Sequence, residues 1–106
     1  MRMWNVPTKL LCRKHLLGEH LEMHMFMGSL NEGKSLKGYI TNGLVELENI
    51  KTRHDELAKE MIERGYNHKS PLEENWEIKK GGKVDIEKNI EVLKGRCKEC
   101  LMIMTL

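Results

Sequence analysis

Apolar residues recur along three stretches of the chain at the three- and four-residue intervals of an α-helix, and nowhere do they alternate as a half-buried strand requires. The first run, Leu10, Leu11, Leu16, Leu17, Leu21, Met23, Met27 and Leu30, predicts a helix over about residues 9–30, with Gly18 as a point of slight bending. Pro7 fixes its own φ and lacks an N–H, so residues 1–7 read as an extended strap, with the helix starting near Pro7 or Thr8. "GSLNEGKSLKGYITNG" (28–43) holds four glycines with Asn and Ser and predicts a loop that exposes Lys34 and Lys37. Leu47, Ile50, Leu57, Ala58, Met61 and Ile62 form the second run, a helix over roughly 44–64 closed by Gly65. "NHKSPLEENWEIKKGG" (67–82) has Pro71 and a Gly81–Gly82 pair but no helical period; it reads as a long loop with Trp76 against the core. Asp85 as N-cap, followed by Ile86, Ile90, Leu93, Cys97 and Leu101, predicts a third helix to about residue 102. The expected fold is all-α: a compact three-helix single domain over residues 1–106.

Composition narrows the class. A chain of 106 residues, 40% apolar and 32% charged, buries one modest core. No apolar run approaches the roughly 18 residues that a membrane span needs. "MRMWNVPTK" is followed by no apolar signal segment, so a reducing cytoplasmic setting is expected, with Cys12, Cys97 and Cys100 as thiols. The net charge of +2 says little about a nucleic-acid partner, but its distribution says more. Residues 1–18 hold Arg2, Lys9, Arg13 and Lys14 and no acidic residue; such a cationic segment suits phosphates, and a solvated surface accounts for it about as well.

The densest chemistry lies in "HLLGEHLEMH" (15–24), three histidines and two glutamates in ten residues. On a helix His15, Glu19 and Glu22 stand at i, i+4 and i+7 and share one face, while His20 and His24 point to roughly the opposite side. The His20–His24 pair has metal-ligand spacing without the surrounding residues that make such a pair specific, so two polar bystanders are the simpler reading. "CKEC" (97–100) is a single Cys-x-x-Cys; a zinc site would need Cys12 or a histidine to complete it, and two unligated thiols, one of them in the core, are preferred. No metal and no cofactor is therefore expected. The His-Glu-Glu stripe stays open between a catalytic face and a solvated one.

Read together, "MRMWNV", "HLLGEHLE" and "RHDELAKEMIERGYNHKSP" resemble the phage-type endonuclease V family, the pyrimidine-dimer DNA glycosylases with abasic-site lyase activity. The resemblance rests on Arg2 just after the terminal residue, on His15 with Leu16, on Glu22 seven residues later, and on "RGYNHKSPL" at the end of the second helix; it covers about residues 1–72. It implies a helical fold whose strap threads between helices and carries the α-amino group into the active site. There that amine attacks C1′ of a damaged nucleotide, expels the base, and forms a Schiff base that undergoes β-elimination of the phosphate. An α-amine suits this role, because its pKa of about 7.7 to 8.0 leaves far more of it neutral than a lysine at about 10.4. The resemblance assigns proton handling to Glu22 and an orienting or relaying role to His15. Arg2 is bulky, so Met1 is expected to be retained, with its own amine as nucleophile.

Two departures from the family pattern bear on substrate. The arginines that flank the catalytic glutamate in better-known members fall here on Leu21 and Met25, and the final residues, "ECLMIMTL", lack an aromatic-rich tail. Both shift the expected target from dimers toward abasic or otherwise damaged sites. The expected partner is double-stranded DNA, met by a monomer inside a phage-infected or bacterial cell and gripped through Arg2, Lys9, Arg13, Lys14, Lys34, Lys37 and Arg53, with His54 and His68 near the same groove. Two alternatives remain: a non-catalytic nucleic-acid-binding relative, and a small metal-binding interaction module built on Cys97, Cys100 and a histidine.

Overall fold

The computed structural model describes residues 1–68, 71–72 and 79–106; the position expected for Trp76 lies outside them. Among the described residues there are five α-helices and no strand: α1 (Arg13–Asn31), α2 (Lys37–Thr41), α3 (Ile50–Glu63), α4 (Ile86–Arg96) and α5 (Lys98–Met104). Short 3-10 turns at Thr8–Leu10 and Leu47–Asn49 precede α1 and α3. The three expected helices are present, each altered for a local reason.

The chain turns extended at Leu11 and Cys12, both buried, so that α1 begins at Arg13 with Cys12 as its N-cap residue. Successive side chains of an extended segment point to opposite faces, so the burial of both means that the segment is covered on each side. The inward face of α1 is Leu16, Glu19, His20, Met23, Phe26 and Met27. That face departs from the expected seam at Leu21, which is 59% exposed, while a carboxylate and an imidazole take core positions. Periodicity counts only apolar side chains and misses polar ones that find partners inside.

The segment expected to open the second helix is instead spoken for by other strands of chain. The Met3 N–H donates to the Leu44 carbonyl (2.6 Å) and the Leu47 N–H to the Gly81 carbonyl (2.9 Å), which holds 44–47 out of helix until α3 starts at Ile50. Gly82 follows in a left-handed conformation (φ 86°), where a Cβ would run into the Val45 carbonyl, so the Gly81–Gly82 pair lets the two segments touch. At its far end α3 closes as expected: Gly65 adopts φ 84°, and the Gly65 and Tyr66 N–H groups bond back to Ile62 and Met61 (both 2.9 Å). The glycine-rich stretch 28–43 is less loop than expected, because α1 runs on to Asn31 and α2 forms within it over buried Leu36.

The third helix is two. Cys97 is extended (φ −126°, ψ 108°) and ends α4; its sulfur then accepts from the Cys100 N–H (3.4 Å) and caps α5. Asp85 caps α4 as predicted, accepting from the Lys88 N–H (3.0 Å).

α1 packs along α3, and the strap lies against this pair with Met3, Trp4 and Val6 buried. Burial of such side chains contributes roughly 1.5–3 kcal/mol each, enough to dock an N-terminus that would otherwise fray. α4 crosses over the strap: Asn89 donates through Nδ2 to the Trp4 carbonyl (2.8 Å) and accepts at Oδ1 from Arg2 Nη2 (2.7 Å). No described helix is long and apolar enough to cross a membrane.

Candidate active site at the amino terminus

The site begins with a buried carboxylate. Glu19 Oε2 accepts the backbone N–H groups of Trp4 (3.1 Å) and Asn5 (3.3 Å), and Arg53 of α3 grips both Glu19 oxygens, Nε to Oε2 at 2.7 Å and Nη2 to Oε1 at 2.9 Å. Asn5 takes a left-handed conformation (φ 57°) that suits asparagine, and the strap bends there. With the strap pinned at residues 4 and 5, its first residues lie one turn further along α1, where the Arg2 N–H donates to Glu22 Oε2 (3.3 Å).

Met1 and Glu22 line one pocket of about 360 Å³, whose walls also include Arg2, Trp4, Lys14, His15 and Arg96; Gly18, with open space where a Cβ would sit, leaves part of its floor clear. Burial pushes the Glu22 carboxyl above its ordinary value of 4.5, while the Arg2 N–H and the positive amino terminus pull it back. The amine is thus electrostatically coupled to Glu22, although among the described residues no ion pair joins them. The Arg2 guanidinium stacks on Trp4, 3.9 Å from the ring centroid, and is lowered first by burial and then by Arg96. Its Nε is buried without a hydrogen-bond partner. An α-amino group that shares a pocket with a half-buried carboxylate and three cationic side chains offers groups able to attack an electrophilic carbon, move a proton and hold an anion.

His15 shares the pocket wall, edge-on to Trp4 (ring centroids 5.8 Å apart), but its Nδ1 faces away toward sulfur: 3.2 Å from Cys12 Sγ and 3.6 Å from Cys100 Sγ. Burial, then Lys14 and Arg96, hold its imidazole below the ordinary histidine range.

The cations proposed for phosphates divide. Arg13, Lys14, Lys34 and Lys37 are exposed, with Lys14 on the pocket rim, Arg13 reaching over Tyr66 and Lys34 paired to Glu32 (2.8 Å). Lys9 is exposed but sits beside Glu60 and Glu63 (3.5 and 3.3 Å). Arg53 is 2% exposed and committed to Glu19, so it serves the core and not the surface. His54 is buried too, its Nε2 3.1 Å from His24 Nε2, and His68 Nε2 lies 2.9 Å from His20 Nε2. These four imidazoles, with ring centroids of His20 within 5.0 Å of each of the others, form a cluster between α1, α3 and the chain beyond α3. His20 and His24, expected as surface bystanders, face His54 and His68 instead.

Arg96 and Trp4 belong to the site and were not singled out by sequence. Arg96 is a basic residue in the last turn of α4, an ordinary helix-end position, and nothing local marks it as a neighbour of residue 2. Trp4 carried a signal, an aromatic residue two places from a key arginine, but only the bend at Asn5 stacks the two.

The sequence model of one family, described as pyrimidine dimer DNA glycosylase, matches residues 1–74, which include the strap, α1, α2 and α3. The chain belongs to the pyrimidine dimer DNA glycosylase family, and its substrate is accordingly DNA. Neither the curated proteins nor the solved structures contain a match.

Proposed function

We propose that the protein is a DNA glycosylase with abasic-site lyase activity, in which the Met1 α-amine is the nucleophile and Glu22 the proton-handling carboxylate. The observation that carries this reading is the shared pocket: the strap is anchored by Glu19 and Arg53, and residue 1 lies in the same cavity as Glu22. The neutral amine forms a bond to C1′ as the C1′–base bond breaks and the base leaves with the electron pair and a proton. Opening of the sugar yields the C1′ imine. Loss of a C2′ proton to the Glu22 carboxylate then drives expulsion of the 3′ phosphate, and water releases the amine. Arg2, Lys14 and Arg96 flank the phosphates, with the unpartnered Arg2 Nε as the strongest pointer to an anion. His15 acts as a positioning residue through Trp4. Residues 1–106 act as one domain and as a monomer on double-stranded DNA inside the cell, and the site serves abasic or otherwise damaged nucleotides.

A non-catalytic DNA-binding relative is the second reading, favoured by the exposed apolar side chains of Leu21 and Met25 beside Glu22, where family members carry arginines. Borohydride trapping on an abasic duplex separates the two. A covalent adduct that peptide mapping assigns to the Met1 amine supports the lyase; duplex binding without an adduct, or an adduct on a lysine, rejects the amine as nucleophile.

A further inference from the structure

Behind the wall of the pocket, four side chains from opposite ends of the chain converge. Cys12 and His15 come from the first turn of α1, Cys97 and Cys100 from the first turn of α5, and their Sγ and imidazole nitrogen atoms all lie within 4.8 Å of one another. We infer that these four residues bind one zinc ion in a closed, structural Cys3His site that ties the start of α1 to α5.

The geometry is that of a metal tetrahedron awaiting small adjustments. With Zn–S of ~2.3 Å and Zn–N of ~2.0 Å, a tetrahedral site has S···S edges of about 3.8 Å and S···N edges of about 3.5 Å. The protein has Cys12 Sγ to Cys97 Sγ at 3.8 Å, Cys12 Sγ to His15 Nδ1 at 3.2 Å and Cys100 Sγ to His15 Nδ1 at 3.6 Å. Spacing agrees with distance. Cys12-x-x-His15 and Cys97-x-x-Cys100 are two short-spaced pairs, each opening a helix, the usual way in which zinc gathers four ligands from two turns of chain. Supporting donors are in place as well, since the Cys12 N–H points at Cys100 Sγ (3.3 Å) and the Cys100 N–H at Cys97 Sγ (3.4 Å). Such N–H···S contacts stabilise the negative charge that three thiolates retain around a divalent ion. A disulfide between any two of the cysteines would leave the third thiol and the imidazole without a role, whereas zinc uses all four. Four protein ligands leave no open position, so the ion is structural; it fixes Nδ1 of His15 and, through the ring, the side of Trp4 that faces the pocket.

The other candidate ligands are His20, His54 and His68, also mutually within 4.8 Å, and the test distinguishes the two places. Full-length protein is purified without chelator from zinc-supplemented cells, and metal is counted by mass spectrometry. One zinc per chain is expected, falling to near zero in Cys97→Ser/Cys100→Ser and staying at one in His20→Asn/His68→Asn. Cobalt added to reduced, zinc-stripped wild type should give the intense visible bands of tetrahedral thiolate coordination, displaced by one equivalent of zinc; this reading needs no variant to fold. Metal-free wild type with no such cobalt spectrum overturns the proposal. So does zinc that survives the cysteine changes and leaves with the histidine pair. The readouts do not involve DNA, so the outcome is independent of the amine chemistry.

Discussion

Arg53 and Glu19, 34 residues apart, form a two-pronged ion pair inside the core, and the Glu19 oxygen nearest Arg53 Nε also receives the Trp4 N–H. One carboxylate therefore joins α1, α3 and the strap. Removing Arg53 leaves a buried charge with only backbone donors, and Arg53→Leu should cost about 3–5 kcal/mol in urea denaturation. The double change Glu19→Leu/Arg53→Leu should cost clearly less than the sum of the single changes, because neither charge is then stranded. Additive costs would show that the pair does not act as a unit.

Glu22 is raised by burial, and in the proposed mechanism its ionisation sets the acid limb. If the working form is the carboxylate, activity falls as pH drops through a midpoint above 4.5, the ordinary glutamate value, and not at it. Because the folded pKa is raised, this group opposes folding as pH rises past 4.5, so activity and the Glu22 contribution to stability should move in opposite directions with pH. Glu22→Gln should lower single-turnover kcat by about 10²–10⁴-fold with substrate binding retained. A variant with wild-type turnover removes Glu22 from the chemistry.

How much of this was legible in sequence varies by residue. Helical content was, because apolar side chains keep a period near 3.6; the same period put Glu22 on a His-Glu-Glu face, and family resemblance then chose it from that face and pointed to Met1, which no pattern marks. The break at Cys97 was hidden because Leu93, Cys97 and Leu101 keep a four-residue beat straight across it, while the helix that resumes buries Cys100 instead. Arg53 looked like a surface cation because burial of a charge depends on a partner 34 residues away, which no local window contains. For the same reason Cys97-x-x-Cys100 looked incomplete: its complement, Cys12-x-x-His15, starts 85 residues earlier.

The position of the amine is the most exacting requirement of the proposed chemistry. One added N-terminal residue moves it by up to about 3.5 Å, the span of one extended residue. A glycine placed before Met1 should leave the melting temperature nearly unchanged, since Met3, Trp4 and Val6 still dock, yet abolish borohydride trapping. Undiminished trapping in that variant would mean that another amine does the work.

The histidine cluster should make the fold acid-sensitive. His20 is depressed to about 4 by burial and then by His54, His24 and His68, with Asp55 Oδ1, 2.9 Å from His54 Nδ1, as the neighbouring carboxylate. A histidine whose folded pKa lies below its unfolded value of 6.5 binds fewer protons when folded, so its contribution is full above 6.5 and is lost as pH falls toward 4. Urea midpoints should therefore decline across that window in wild type and decline less in His20→Gln. Parallel curves for the two proteins would show that the carboxylates alone are responsible.

Lys14 and Arg96 stand on opposite chain segments at the mouth of the pocket, one on the first turn of α1 and the other on the last turn of α4. Each is exposed, and neither is ion-paired among the described residues, unlike Lys9 and Lys34, whose acidic neighbours already occupy them. A phosphate contact releases a condensed counterion, so the logarithm of affinity falls against the logarithm of salt with a slope of about −0.9 per contact. Lys14→Ala and Arg96→Ala should each flatten that slope by roughly one unit on an abasic duplex, and Lys34→Ala should leave it unchanged. If Lys34→Ala flattens the slope and the other two do not, DNA lies over the α1–α2 connection and away from the amino terminus, an arrangement in which Met1 cannot reach the sugar.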